Sequence, residues 1–489
     1  MIAAIQGRSI ALAPPIACPA GHRLQILAAF AAMIGIPVLS LAGGQAGVLR
    51  IIFPSLSVVV GGFLLWRSKP AYVELVCWLW FLTPFLGRMA DFQGGWSPAN
   101  AVELAPYTTA AISALPLLAS LGSLGSRKTL PYVCAMVAIL YGLILGLVSL
   151  PLFNVLRSLL NWLVPVVFGF FIYQNRDLYP EFRAAIERSF LFGTLITGAY
   201  GIYQFFALPD WDRLWLLNVQ LNSFGAVEAM TVRVFSTMNA PAIYAAVTTC
   251  GLLLLFNLKG KLRLLSAACG FLALMLTVSR ASWLSLAVGS FYLIMRAGTR
   301  QRTRLMIAAF ACGVFLLGLT QVPAVHDLLL QRIQTFSDPS QDVSFSARVV
   351  GHEQAFQQIA QEPFGEGVGS TDTKHNTEGD DDIIGPHDST VLEFLYSLGW
   401  VGALVYAMGL GSLAFQLIRS GHSDPFVISA KSILVGLAAQ CLLNSVMIGV
   451  LGFMVWTFAS MSLAAADFSN SAEEVRLREG MHERRYAVA

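Results

Sequence analysis

Residues 344–400 read SFSARVVGHEQAFQQIAQEPFGEGVGSTDTKHNTEGDDDIIGPHDSTVLEFLYSLGW. This is the longest polar tract in a chain that is otherwise apolar: 56% of its 489 residues are hydrophobic and only 12% are charged. A soluble chain of this length would need far more charge to cover its surface. Outward from the tract in both directions, apolar runs of 17 or more residues recur, each long enough to cross a bilayer as a helix. The runs are continuous rather than alternating, which disfavours a β-barrel. The fold expected is an all-α polytopic membrane protein with one large insertion outside the membrane.

Membrane helices are expected near 24–42, 47–66, 71–87, 104–122, 130–150, 159–174, 189–207, 239–257, 265–279, 282–296, 305–322, 389–415, 429–446 and 450–466. Twelve to fourteen crossings fit this pattern, with the divisions at 279–282 and 446–450 the narrowest. Basic residues cluster on alternate loops: Arg67 and Lys69; Arg127 and Lys128; Arg176, Arg183 and Arg188; Lys259, Lys261 and Arg263; Arg296, Arg300, Arg302 and Arg304; Arg419; and Arg476, Arg478, Arg484 and Arg485. The opposite short loops hold isolated cations such as Arg88 and Arg157. The positive-inside rule then places the clusters and both termini in the cytoplasm. The division that follows is a cytosolic leader (1–23), helices 1–11 (24–322), a large outer loop (323–388), helices 12–14 (389–466) and a cytosolic tail (467–489). The leader, with Pro14 and Pro15 and no cleavage site, does not read as a signal peptide.

Three outer segments carry polar mass: 88–103, 208–238 and 323–388. In the last, a helix is expected over 325–336 and a second from 344–346 to Gln361, with Phe345, Val349, Phe356 and Ile359 as one apolar stripe and Arg348 and His352 one turn apart. Pro363 and the glycines at 365, 367 and 369 end it. Those glycines are not a phosphate loop, since no Lys-Ser/Thr follows. The acidic run 378–382 lacks a calcium-loop spacing and reads as solvated. The seven cysteines form no framework and no metal site; all but Cys18 lie in apolar runs and read as small buried hydrophobes.

Four residues stand where chemistry is possible. His387 follows Gly385-Pro386 at the mouth of the helix near 389; a neutral imidazole there either takes a proton from a hydroxyl or caps the helix. His375 competes in the same loop, with no helix to anchor it. Arg348 offers a planar fork of donors for phosphate oxygens, against the alternative of a solvated surface arginine. Arg233 is a cation at the outer interface, either functional or snorkelling. Arg280 falls at a tight outer hairpin, as a site residue or as a cap for a neighbouring helix. Glu74 and Glu393 are carboxylates near the ends of membrane helices.

Together these residues resemble the O-antigen ligase and O-antigen (exopolysaccharide) polymerase superfamily of bacterial membrane proteins. Four places carry the likeness. Residues 233–237 with Asn239 are similar to an Arg-x-x-Gly-Thr segment and its following Asn. Residues 276–283, LTVSRASW, resemble Leu-Thr-x-Ser-Arg-Gly-Ala-Trp. Arg348 to Ala355 with Pro363, Gly365 and Gly367 resembles an Arg-helix-Pro-x-Gly-x-Gly pattern. His387 with Leu392, Gly399 and Gly402 resembles His-Asn-x-x-Leu and its Gly-rich helix. The likeness covers roughly 190–465, and it departs at Ser236 (for Gly), His352 (for an aromatic) and Asp388 (for Asn).

The resemblance implies a GT-C-like membrane glycosyltransferase in the bacterial inner membrane. It would act on a glycan carried by undecaprenyl diphosphate, by inverting transfer at the periplasmic face without metal or cofactor. By that analogy His387 is the catalytic base, and Arg348, Arg233 and Arg280 bind the diphosphate. The acceptor is either another lipid-linked glycan (polymerase) or lipid A–core (ligase), with a chain-length regulator as a possible partner and no nucleic acid. A lipid-linked oligosaccharide flippase is the rival class, and it should show broken helices with ionisable groups near the membrane midplane.

Overall fold

In a computed structural model of the chain, the described residues are 20–118, 122, 125–219, 224–299, 302–303, 306–307, 313, 356–357, 359, 362–371, 389–421 and 424–487. Among them the ordered elements are helical. They run α1 (Ala20–Ala42), α2 (Ala46–Arg67), α3 (Lys69–Gly94), a 3-10 turn (Ala101–Leu104), α4 (Ala105–Ala111), α5 (Ala114–Leu118), α6 (Leu130–Ser149), α7 (Leu152–Gln174) and α8 (Tyr179–Ala207). There follow α9 (Asp210–Val219), α10 (Pro241–Leu255), α11 (Leu262–Leu276), α12 (Arg280–Arg296), α13 (Thr390–Arg419), α14 (Pro425–Ala438) and α15 (Gly449–Ala487). Nine helical segments among the described residues are long and apolar enough to cross a membrane, and α10, α11 and α14 are shorter apolar helices. The chain is an all-helical polytopic membrane protein.

Helices are the form such runs must take, because in hydrocarbon every backbone N–H and C=O needs a partner within its own segment. Lateral association relies on close packing instead of a hydrophobic drive, and small residues sit where backbones meet. Gly169 of α7 lies against Trp456 and Ser460 of α15, and Gly198 of α8 against the backbone of Cys269 and Gly270 in α11. Ser432 Oγ donates to the Gly289 carbonyl at 2.9 Å, and Gly436 faces the Ser285 carbonyl one turn on, so α12 and α14 run antiparallel in close register.

The basic clusters meet at one end of the bundle. Lys69 donates to Asn175, Lys128 and Arg176 pair with Asp467, Arg183 pairs with Asp424 at 2.9 Å, and Arg188 grips Glu74 through two nitrogens. At the opposite end α2 is tied to α3 by Arg50 and Asp91, 2.6 Å apart. Glu74, read as a possible functional carboxylate, is thus an ion-pair partner at the basic end.

Several expected boundaries are corrected. The run 104–122 is broken into a 3-10 turn and two short helices. The helix expected over 429–446 stops at Ala438; Gln440 to Ser445 then turn back across the end of the bundle, with Leu443 N and Asn444 N both donating to the Gln440 carbonyl at 2.8 Å. The helix expected over 389–415 runs to Arg419 but breaks at Gly399, whose φ is 60° and ψ −174°. Arg88, expected in an outer loop, lies inside α3, and α15 continues past 466 to Ala487. The expected helices at 305–322, 325–336 and most of 344–361 lie outside the described residues. Of the expected stripe, Ile359 is buried and Phe356 is exposed.

Candidate functional site

The end of the bundle opposite the basic clusters collects the polar side chains, and it is built from segments far apart in sequence. The first layer joins 233–239 to the α11–α12 hairpin. Val234 N donates to the Leu276 carbonyl at 3.1 Å, a short strand-like contact. Beside it Arg233 Nε donates to the Thr277 carbonyl at 3.0 Å and Nη2 to the Val278 carbonyl at 3.3 Å. These carbonyls belong to the C-terminal end of α11, where a cation is favoured by the helix dipole. Val278 holds φ +52°, a left-handed conformation that a β-branched residue rarely adopts. Arg280 starts α12 two residues later and is half-buried. The two carbonyls orient the Arg233 guanidinium against the α11–α12 hairpin.

A second layer lies beneath. Arg88 and Asp212 form an ion pair, Nε to Oδ1, at 2.9 Å with both side chains fully buried. Arg88 Nη1 donates to the Met238 carbonyl at 2.8 Å and to Asn239 Oδ1 at 2.9 Å, and Nη2 donates to the Ser236 carbonyl. Its guanidinium carbon stands 4.9 Å from the centre of the Phe235 ring. The other oxygen of Asp212 accepts from Gln204 Nε2 at 2.7 Å and from Tyr200 at 2.8 Å. Gln204 Oε1 in turn accepts the amides of Phe235 and Ser236 at 3.0 and 2.8 Å. Because Asn239 Oδ1 faces Arg88, its Nδ2 points away, to Glu103. Leu208, Trp215, Leu216, Phe224, Val232 and Phe235 close an apolar cap over this network, each burial stabilising by about 1.5–3 kcal/mol for side chains of this size.

A third layer seats the outer loop's root. Residues 363–369 lie in the notch made by the α13 break: Trp400 N donates to the Pro363 carbonyl at 2.9 Å, Glu366 N to Tyr396 at 2.9 Å and Gly367 N to Ser397 at 3.1 Å. On the other flank Val368 N donates to the Gly142 carbonyl of α6 at 2.9 Å. Gly367 has φ +95°, and a Cβ there would run into the backbone of Gly146. The start of α13 is pinned too. Thr390 N donates to the Cys441 carbonyl at 2.8 Å, Thr390 Oγ1 donates to the Asn444 carbonyl at 2.8 Å, and Ser445 Oγ donates to Glu393. The α12–α14 register carries Arg280 towards Cys441, so the hairpin and the start of α13 share one end of the bundle.

Of the residues singled out from the sequence, Arg233 lies on the α11–α12 hairpin that ends at Arg280. Arg348, His352, His375, His387 and Asp388 lie outside the described residues. His387 precedes Ser389 by two residues, and Ser389 is buried next to Cys441. The residues missed are Arg88, Asp212, Gln204 and Glu103. Arg88 was legible only as a cation off the basic side; its charge partner stands 124 positions away along the chain. Among the described residues no His/Cys/Asp/Glu group is arranged to hold a metal ion.

Fold and site define a multi-pass helical membrane protein with a polar centre at the end remote from its basic clusters. Residues 265–407 match the family model described as O-antigen ligase, and this match supports a relation to the O-antigen ligase and polymerase family. That family implies membrane embedding, glycan transfer in general terms and lipid-linked glycan substrates. The matched segment contains Arg280, Arg348 and His387; Arg88, Asp212 and Arg233 precede it. No curated protein and no solved structure gives a significant match.

Proposed function

We propose that the protein polymerises glycan repeat units carried on undecaprenyl diphosphate, at the periplasmic face of the inner membrane. The observation that supports this best is the family match at 265–407, read with the convergence of its hairpin and its α13 start on the end away from the basic clusters. In this reading His387 takes the proton from the acceptor hydroxyl as that oxygen attacks the anomeric carbon. The bond to the diphosphate breaks with inversion. Arg348, Arg233 and Arg280 hold the departing diphosphate as its charge grows. The basic end faces the cytoplasm, and both termini lie there. The strained turns at Ser236 and Val278 suit a site whose backbone is held by its surroundings, since such conformations persist only where structure imposes them. Ligation onto lipid A–core is the second reading, favoured by the ligase description of the matched model.

His387→Ala is expected to abolish transfer while the protein still inserts and accumulates. Arg348→Lys keeps the charge and loses the fork, and is expected to lower activity by about tenfold or more. Both are checked by the length distribution of glycan made in cells lacking the native protein. Parental product from His387→Ala would remove the base from this assignment. Product on lipid-linked carrier alone supports polymerase, and product on lipid A–core supports ligase.

A further inference from the structure

We propose that Arg88 and Asp212 are positioning residues, whose buried ion pair sets the placement of Arg233 against the α11–α12 hairpin at which a diphosphate is bound. The inference rests on the functional reading above. Its basis is where the hydrogen bonds end. Three of the four Arg88 N–H donors not facing Asp212 go to Ser236, Met238 and Asn239. The Asp212 oxygen not facing Arg88 holds Gln204, which holds the amides of Phe235 and Ser236. Thr237 Oγ1 is fixed on the Phe81 carbonyl at 2.6 Å and Ser236 Oγ on the Thr197 carbonyl at 2.5 Å. The segment from 235 to 239 is therefore held directly from α3 and α8, with Asp212 of α9 bracing both Arg88 and Gln204, and Arg233 stands two residues before it.

Stability alone gives little reason for such a pair. Two charges removed from water cost about as much as their attraction returns, and apolar replacements of the same volume are often no worse. What the pair supplies is a fixed direction for many hydrogen bonds, and Arg233 is the group that inherits it. A displacement of about 1 Å in a charge-binding group is enough to lower turnover on the order of a hundredfold.

The test is a mutant cycle on the full-length protein in nanodiscs, with undecaprenyl diphosphate binding and transfer from a lipid-linked glycan both measured. The variants are Arg88→Gln/Asp212→Asn (both charges removed together), Arg233→Lys, and all three changes combined. The neutral pair is expected to accumulate normally yet to bind and transfer at least about tenfold less well. The triple variant is expected to be no worse than Arg233→Lys alone, because both act through one group. A merely structural pair would instead multiply its loss onto that of Arg233→Lys. That outcome, or parental binding and transfer by the neutral pair, overturns the clamp alone. If the neutral pair fails to accumulate, Arg88→Lys keeps the ion pair, loses the fork on 236–239 and enters the same cycle. A parent protein that neither binds nor transfers overturns the functional reading and the clamp with it.

Discussion

Ser236 shows how a single residue is set by its surroundings. Its φ is +52°, its side chain is fully buried, and its hydroxyl donates to the Thr197 carbonyl. The sequence stands out here because the resembling families carry glycine, the residue that takes this conformation without steric cost. Two terms of similar size oppose one another. Glycine would relieve roughly 1–2 kcal/mol of left-handed backbone cost, and it would lose a hydrogen bond contributing about 1 kcal/mol. Ser236→Gly is therefore expected to keep parental activity and shift the thermal midpoint little. Ser236→Val puts a β-branched residue at the same φ, with a cost of roughly 1–3 kcal/mol, and leaves the Thr197 carbonyl with the Tyr244 hydroxyl as its side-chain donor. It is expected to lower both thermal midpoint and transfer. Equal behaviour of the two variants in detergent unfolding would show that the turn relaxes freely.

At the scale of elements, the break in α13 and the glycine-rich root of the outer loop form one joint. The segment 390–398 turns at Gly399, and the space opened receives 363–369, backbone against backbone. From sequence those glycines read as a helix terminator, which is a local role; their contact with α6 is not local. Gly367→Ala is expected to dislodge the root, to expose 362–371 to protease and to lower transfer by about tenfold or more. Gly411→Ala, on the same helix α13 but with open space around it, is the matched control and is expected to be parental. An unchanged protease pattern in Gly367→Ala would show that the docking is dispensable. Glu393, one turn into α13 and fully buried, receives the Ser445 hydroxyl and ties this joint to the turn after α14.

At the scale of the whole molecule, the bundle has two unlike ends. One is stitched by surface-type ion pairs around Asp467, Asp424 and Glu74, each contributing little alone. The other holds buried charge in Arg88 and Asp212. With the basic end in the cytoplasm, cysteines placed at Ala99 and Asp380 should both be labelled by an impermeant thiol reagent applied to the periplasm. One at Lys261 should be labelled only after the membrane is permeabilised. Labelling of Lys261→Cys in intact cells would invert the orientation and remove the periplasmic site from the proposal. Protection of Ala99→Cys alone would separate the outer loop from the end of the bundle that carries Arg88.

The sequence by itself determined the helical membrane class, the order of most segments and the gathering of basic residues at one end of the bundle. Each of these follows from a local quantity: the length of an apolar run against the thickness of hydrocarbon, or the charge between two runs. It also marked Arg233 and Arg280 as positions of interest, because a cation off the basic side needs a reason. Only the tertiary structure decided what those residues touch. Arg88 passed as an isolated cation because Asp212 and the carbonyls of 236–238 are more than 120 positions away. The break at Gly399 was hidden in an unbroken apolar run. Pairing of buried charges and backbone-on-backbone docking are contacts between distant segments, and no local pattern in the chain encodes which of them will meet.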